Sequence, residues 1–146
     1  MSTPTDSPNT LQLVHTLELD VNIFDTDCYG VMWHGAYTKW LEMGRVKLLE
    51  TQGYVFSKPG EADGYVFPVV EQNLKYKRSA PYGDKLTLTT RIAIEGYKLQ
   101  FLQSFRSHHT DQITVEAVTT VVIVDGQWKL QRRLPEALKA ILGLSS

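Results

Sequence analysis

A single cysteine, Cys28, stands among the 146 residues, which excludes an internal disulfide and a multi-thiolate metal centre. An excess of charge of either sign is missing too. Fifteen Lys and Arg face sixteen Asp and Glu, a formal charge of −1, so no global field recommends nucleic acid or an acidic membrane as a partner. No apolar run approaches the ~20 residues of a membrane span. The opening MSTPTDSPNT has neither the basic region nor the apolar core of a secretory signal. With one unpaired thiol, the expected setting is the cytoplasm, away from membranes. What remains is ordinary for a globular chain, 42% hydrophobic and 21% charged, in a length that suits one domain with one substantial core.

Residues 1–10, rich in Ser, Thr, Pro and Asn, are expected to form a loose tail, with the domain occupying residues 11–146. Period-two alternation then places Leu13, His15, Leu17, Leu19, Val21 and Ile23 on one side of a first strand. A helix is expected to start between Tyr29 and His34 and to run to about Gln52. Tyr37, Trp40, Leu41, Gly44 and Leu48 share one face of it, and Gly53 is its stop. Gly44 inside that face lowers helix propensity by about 1 kcal/mol relative to Ala, a cost consistent with close approach by another element. After the KPGEADG turn (Lys58 to Gly64), strands are expected over 65–76, 85–95, 99–108 and 113–125. Asp125-Gly126 turns back into 128–130, and Pro135 opens a short last helix. Short links between successive strands predict hairpins, hence an antiparallel sheet with one long helix against it: a single α+β domain.

Chemistry concentrates between Asp25 and Arg45, DTDCYGVMWHGAYTKWLEMGR. Two carboxylates, Asp25 and Asp27, precede a glycine turn, then His34, then the helix. A helix start leaves unpaired N–H groups and favours negative charge, so an acid, a histidine and free amide donors lie in one short segment suited to acyl chemistry. Asp27 by itself reads equally well as a cap or Asx-turn residue. Cys28 is not read as a nucleophile, because the adjacent carboxylate repels a thiolate. His108, His109 and Asp111 are read as solvated turn residues rather than metal ligands. Lys75, Lys77 and Arg78 make a local basic patch, either a solvated strand edge or a dock for anionic phosphates, with Ser79, Lys98 and Arg106 able to assist.

The pattern D-T-D-x-x-G-V-M-x-H-x-x-Y-x-x-W-x-E-x-x-R, with the YKRSAPYGD segment at 76–84, resembles the signature of hotdog-fold acyl-CoA thioesterases of the 4-hydroxybenzoyl-CoA thioesterase family. The resemblance spans roughly residues 11 to 130. It implies an antiparallel sheet wrapped around the long central helix, homodimers joined sheet edge to sheet edge or their homotetramers, and active sites between subunits. By position it puts the catalytic carboxylate on Asp27 and an active-site role on His34. It puts carbonyl-polarising amides near Val31 to His34, among them those of Val31, Met32 and Trp33. Asp25, Tyr29, Tyr37 and Phe67 are expected at the substrate pocket, Asp25 holding the loop by hydrogen bonds rather than performing chemistry, and Lys75, Lys77, Arg78, Ser79 and Lys98 are expected at coenzyme A. Cys28 and Tyr29 stand where many relatives carry small residues, which narrows the acyl pocket. The related branch with its acid nine residues after the histidine would need one at Met43, and none is there.

The implied reaction is hydrolysis of an aromatic or fatty acyl-CoA to a carboxylic acid and free CoA. An acyl carrier protein thioester is the alternative donor. No metal or organic cofactor is expected, since coenzyme A belongs to the substrate. Two other function classes share the fold: a hydratase or dehydratase, whose HFPxxP-type element is missing here, and a non-catalytic acyl-binding module.

Overall fold

The computed structural model describes residues 9–56 and 64–144. The expected tail at 1–8 and all but the last residue of the KPGEADG turn lie outside the described residues. Strand β1 (Thr10–Asp20) begins inside the expected tail: Thr10 pairs with Ala93, and the Asn9 carbonyl accepts the Ile94 N–H at 3.2 Å. Alternation along β1 turns Leu11, Leu13, His15, Leu17 and Leu19 inward. Ile23 does not continue that face. The chain leaves the strand at Asp20 and enters a 3₁₀ turn, Ile23–Asp25, which leaves Ile23 69% exposed.

Helix α1 (His34–Thr51) starts after an extended Trp33 (φ −89°, ψ 161°) and stops at Gly53, whose φ of +95° a side chain would resist. Its charged residues Lys39, Glu42, Lys47 and Glu50 face solvent. Its buried residues join two apolar clusters. Ala36, Tyr37 and Leu41 pack with Leu19, Val21, Leu86, Leu88, Phe105 and Val115. One helical half further on, Leu48 and Leu49 pack with Tyr54, Ile92, Leu99, Phe101, Val121 and Ile123.

Four more strands complete one sheet: β2 (Val69–Tyr76), β3 (Lys85–Glu95), β4 (Lys98–Ser107) and β5 (Ile113–Val121). They are ordered β1-β3-β4-β5-β2, and every neighbouring pair is antiparallel. The expected hairpin succession holds for β3, β4 and β5 and fails for β2, which pairs with β5 rather than β3. The reason is in the link between β2 and β3. Ala80 and Pro81 bind the backbone of Met32 and Val31 just before α1, and the Asp84 carbonyl accepts the Val21 N–H at 2.8 Å. The link therefore crosses the end of the sheet to β1's side. The expected strand over 65–76 is shortened to β2 and that over 113–125 to β5, with isolated bridges from Val124 to Val66 and Leu130. Asp125 closes the last hairpin by accepting the N–H groups of Gln127 (2.9 Å) and Lys129 (3.0 Å). The short helix α2 (Glu136–Ile141) follows Pro135 as expected and buries Leu138.

Between the two clusters lies a polar layer centred on Gly44. A Cβ there would meet Leu88 Cδ2, Thr90 Oγ1 and Gln103 Nε2 at 2.8–2.9 Å. Buried Gln103 donates to the Leu41 carbonyl (2.9 Å) and to Thr90 Oγ1 (3.0 Å), so it has no room to retreat without breaking bonds. Gly44→Ala is therefore expected to lower stability by about 1–3 kcal/mol through overpacking, although Ala is the better helix former. Urea unfolding measures this; an equal or higher midpoint for the variant would mean that helix propensity wins and the contact is loose.

Candidate active site

The loop before α1 is built to present one acid and brace the other. Thr26 bridges to Met32, the Asp27 N–H donates to the Val31 carbonyl (3.0 Å), and the Gly30 N–H returns to the Asp27 carbonyl (3.0 Å). Gly30, at φ +77°, supplies the left-handed corner. Asp25 is 8% exposed, and its Oδ2 accepts both the backbone N–H (3.0 Å) and the side-chain amide (3.1 Å) of Asn22. Asp25, expected beside the substrate pocket as a residue that holds the loop by hydrogen bonds, braces the loop in this way. Asp27 is exposed; its Oδ1 accepts the Tyr29 N–H at 2.9 Å and the Val31 N–H at 3.5 Å. Its other oxygen has no partner among the described residues. The Asx-turn role and a free carboxylate oxygen thus coexist on one side chain.

Three of the amides expected to polarise a carbonyl are already committed. Met32 N–H donates to the Ala80 carbonyl (2.8 Å) and Trp33 N–H to the Asp25 carbonyl (3.1 Å), while Val31 N–H faces Asp27. The helix starts at His34, later than those positions. Its third and fourth N–H groups, on Ala36 and Tyr37, turn back to the Trp33 carbonyl at 3.0 and 3.4 Å. Trp33 at the N-cap carries no side-chain acceptor and makes no capping bond. Among the described residues, the N–H groups of His34 and Gly35 therefore have no acceptor, as the geometry of a helix start allows. The Trp33 indole lies over Gly35, where a Cβ would come within 2.1–2.6 Å of the ring, and meets the His34 ring edge-on at 5.2 Å. The His34 and Tyr29 side chains are exposed.

Behind the helix start, a cavity of about 340 Å³ is lined by Met32, Tyr37, Tyr76, Lys77, Arg78 and Ser79. It unites one expected pocket residue with three of the expected coenzyme A contacts. Tyr37 is buried, its hydroxyl 3.4 Å from Thr114 Oγ1 and its ring edge-on to Phe105. Burial pushes its pKa up, partly offset by Thr114, with Tyr76 and Asp84 adding to the rise, so it is a neutral wall. Lys77 pairs with Glu116, and Lys75 is an exposed residue of β2. Lys98 stands apart: it opens β4 just after the β3–β4 turn, its ammonium 5.7 Å from the Tyr97 ring centroid. The full length of β3, roughly 35 Å at 3.2–3.4 Å per residue, separates it from the Lys85 end. Phe67 is also displaced, packing edge-on with Tyr54 (5.6 Å) and Phe56 (6.3 Å) in the second cluster.

His108 and His109 are engaged rather than merely solvated. His108 Nε2 lies 2.7 Å from Thr87 Oγ1, and His109 Nδ1 lies 3.6 Å from Asp84 Oδ1. Buried Asp84 also accepts from Ser107 Oγ (2.7 Å) and the Lys85 N–H (2.8 Å), holding the crossing link in place. Sequence reasoning missed this anchor and the open amide of Gly35, while the open amide of His34 closes the range expected; a tryptophan before the helix was the available signal for both.

An antiparallel sheet curled over one long helix, with an acidic loop feeding the helix start, defines the hotdog-fold thioesterase class. Residues 21–142 match the thioesterase-like superfamily, and the chain belongs to it; by family it is a thioester hydrolase. The Bacillus subtilis protein provisionally named acyl-CoA thioesterase YneP is 28% identical over 109 residues, 74% of this chain and 78% of that one. The acyl-CoA thioester hydrolase YbgC of Escherichia coli is 30% identical over 118 residues, covering 80% and 86%. A crystal structure of a 4-hydroxybenzoyl CoA thioesterase complexed with 4-hydroxybenzoyl CoA superimposes with a TM-score of 0.74, covering 89% of this chain and 99% of that one. At 18% identity that likeness speaks for the fold alone.

Removing Asp25's carboxylate leaves two Asn22 donors without their acceptor, so Asp25→Ala is expected to cost about 1–3 kcal/mol. Asp25→Asn, which keeps one acceptor oxygen, should cost less. Denaturant unfolding of both variants reads this, and an unchanged midpoint for Asp25→Ala would show that the brace is dispensable.

Proposed function

We propose that this chain hydrolyses acyl-CoA thioesters, with Asp27 as nucleophile or general base and the His34 and Gly35 amides as oxyanion donors. The observation that carries the reading is the helix start: two uncommitted N–H groups lie just beyond a closed loop whose carboxylate keeps one oxygen free. The thioester carbonyl oxygen accepts from those amides, and the helix dipole favours the charge that gathers there. Asp27 either attacks the carbonyl carbon, forming an anhydride that water then opens, or takes a proton from the water that attacks. In both routes the tetrahedral oxyanion collapses and the C–S bond breaks. Thiolate leaves readily, so no strong acid is needed at the sulfur. The His34 imidazole, exposed beside these amides, orients the water or the carbonyl.

Coenzyme A is assigned to the cavity of Tyr76, Lys77, Arg78 and Ser79, whose cations suit its phosphates. The acyl group is aromatic or fatty. The relatives reported above offer no support for a carrier-protein thioester. Assembly as a homodimer or homotetramer is proposed through the outer edge of β2, where Val69 (47%) and Val70 (52%) are exposed. The reaction is placed in the cytoplasm without a resident metal or organic cofactor. Among the described residues no helix is long and apolar enough to cross a membrane.

Free-thiol release from a panel of aromatic, short-chain and long-chain acyl-CoAs tests the reaction. Turnover on part of the panel is expected, with Asp27→Asn folded and slower by about 10²–10⁴-fold. Unchanged turnover in the variant would remove Asp27 from the chemistry. A second comparison isolates the amide. Trp33 is already extended, the conformation a following proline requires, and proline is tolerated at the first helical position. His34→Ala removes the ring alone, whereas His34→Pro removes ring and N–H together. The proline variant is expected to be slower than the alanine variant by a further 10²–10³-fold or so, the usual cost of one oxyanion donor. Equal rates would place the oxyanion elsewhere.

A further inference from the structure

The segment that crosses the sheet end, Ala80 to Asp84, clamps the Asp27 loop at both of its ends. At the entrance, the Asp84 carbonyl accepts the Val21 N–H (2.8 Å) and the Gly83 N–H donates to the Val21 carbonyl (3.0 Å). At the exit, the Tyr82 N–H donates to the Gly30 carbonyl (3.1 Å) and the Ala80 carbonyl accepts the Met32 N–H (2.8 Å). Between them the Pro81 carbonyl accepts the Asp84 N–H (3.1 Å), which closes the segment into a turn. The loop that carries Asp27 is thus held from two points on one short piece of chain. That piece is fastened in turn through a buried side chain. Asp84 Oδ2 accepts the Ser107 hydroxyl (2.7 Å), and its Oδ1 accepts the Lys85 N–H (2.8 Å) and lies 3.6 Å from Nδ1 of exposed His109. Ser107, also buried, accepts the His109 and Thr110 N–H groups on its Oγ (3.1 and 3.2 Å). One side-chain bond, Ser107 to Asp84, therefore joins the β4–β5 turn to the clamp.

We propose that Asp84 and Ser107 are positioning residues for the hydrolysis, setting the Asp27 carboxylate against the His34 and Gly35 amides. The inference rests on the reaction proposed above and adds two residues that belong neither to the Asp27 loop nor to the helix start. A hydroxyl donates more strongly to a carboxylate than to a neutral amide, so Asp84 holds Ser107 more firmly than asparagine would. Placement matters because a misplacement of about 1 Å costs up to roughly 10²-fold in rate. The clamp fixes that placement: it takes the Met32 amide just before α1 and the Val21 backbone just before the loop.

Acyl-CoA turnover is compared for the full native chain, Asp84→Asn and Ser107→Ala, each shown to be folded by circular dichroism. Both variants are expected to lose roughly 10–10²-fold in kcat with KM little changed. A merely structural role would lower the urea midpoint and leave kcat of the folded protein alone. A double-mutant cycle locates the effect: Asp84→Asn added to Asp27→Asn should cost only about two-fold more, because no carboxylate remains to be placed. Amide hydrogen exchange reads the clamp without turnover. The Met32 and Tyr82 amides should exchange about ten-fold faster or more in Asp84→Asn, with the Phe101 amide in β4 unchanged. If Ser107→Ala does not fold, Asp84→Asn, which keeps the side chain's shape, decides alone. Native kcat in Asp84→Asn, or a full additional loss on top of Asp27→Asn, would overturn the proposal. A native chain that turns over no acyl-CoA would instead overturn the hydrolysis on which it rests. Unchanged exchange at Met32 and Tyr82 would overturn the clamp's dependence on Asp84 whatever the reaction.

Discussion

The absence of a side chain at Gly44 sets the height of α1 above the sheet. With Leu88, Thr90 and Gln103 all within 3 Å of where a Cβ would stand, the helix backbone lies directly on β3 and β4. That approach lets one helix serve two apolar clusters, Tyr37 and Leu41 on one side and Leu48 and Leu49 on the other. The Gln103 amide satisfies the Leu41 carbonyl in the layer between them. The same approach fixes where the helix begins. Its first residues arrive beside the link that crosses the sheet end, so that Ala80 and Asp25 take the amides of Met32 and Trp33.

The proposed chemistry follows from how that start is finished. A serine or aspartate at the N-cap would have consumed one of the free amides. Trp33 cannot, and its indole instead covers Gly35. The loop meanwhile assigns its two acids to different tasks. Asp25 is buried and holds Asn22, whereas Asp27 is exposed with only one oxygen engaged. A free carboxylate oxygen and two open donors are what attack on a thioester requires, and both result from local backbone constraints rather than from a cluster of unusual side chains.

Much of this was legible in the sequence because it depends on short-range pattern. The period of β1, the face of α1, the stop at Gly53 and the strand boundaries of β3 each follow from residues a few positions apart. The motif from Asp25 to Arg45 identified the family for the same reason. What was not legible depends on contacts between distant segments. The pairing of β2 with β5 is decided by the crossing link, whose anchors, Ala80 on Met32 and Asp84 on Ser107, lie far apart in sequence. Lys98 looks like a neighbour of the other cations by composition, yet the β3–β4 register carries it to the far end of the sheet. Among the helix-start amides expected to be free, those of Val31, Met32 and Trp33 are engaged, because hydrogen bonds from outside the helix, invisible in the motif, fix which amides stay open. Phe67 and Arg45 belong to a cavity that only the packed second cluster reveals.

The most direct measurement is a crystal structure with a non-hydrolysable acyl-CoA ketone, in which a methylene replaces the thioester sulfur. The account predicts the ketone oxygen at hydrogen-bond distance, about 2.7–3.1 Å, from the His34 and Gly35 nitrogens, with the Asp27 carboxylate facing the carbonyl carbon directly or through one water. A ketone oxygen held by other groups, with the His34 and Gly35 amides still unoccupied, would contradict it.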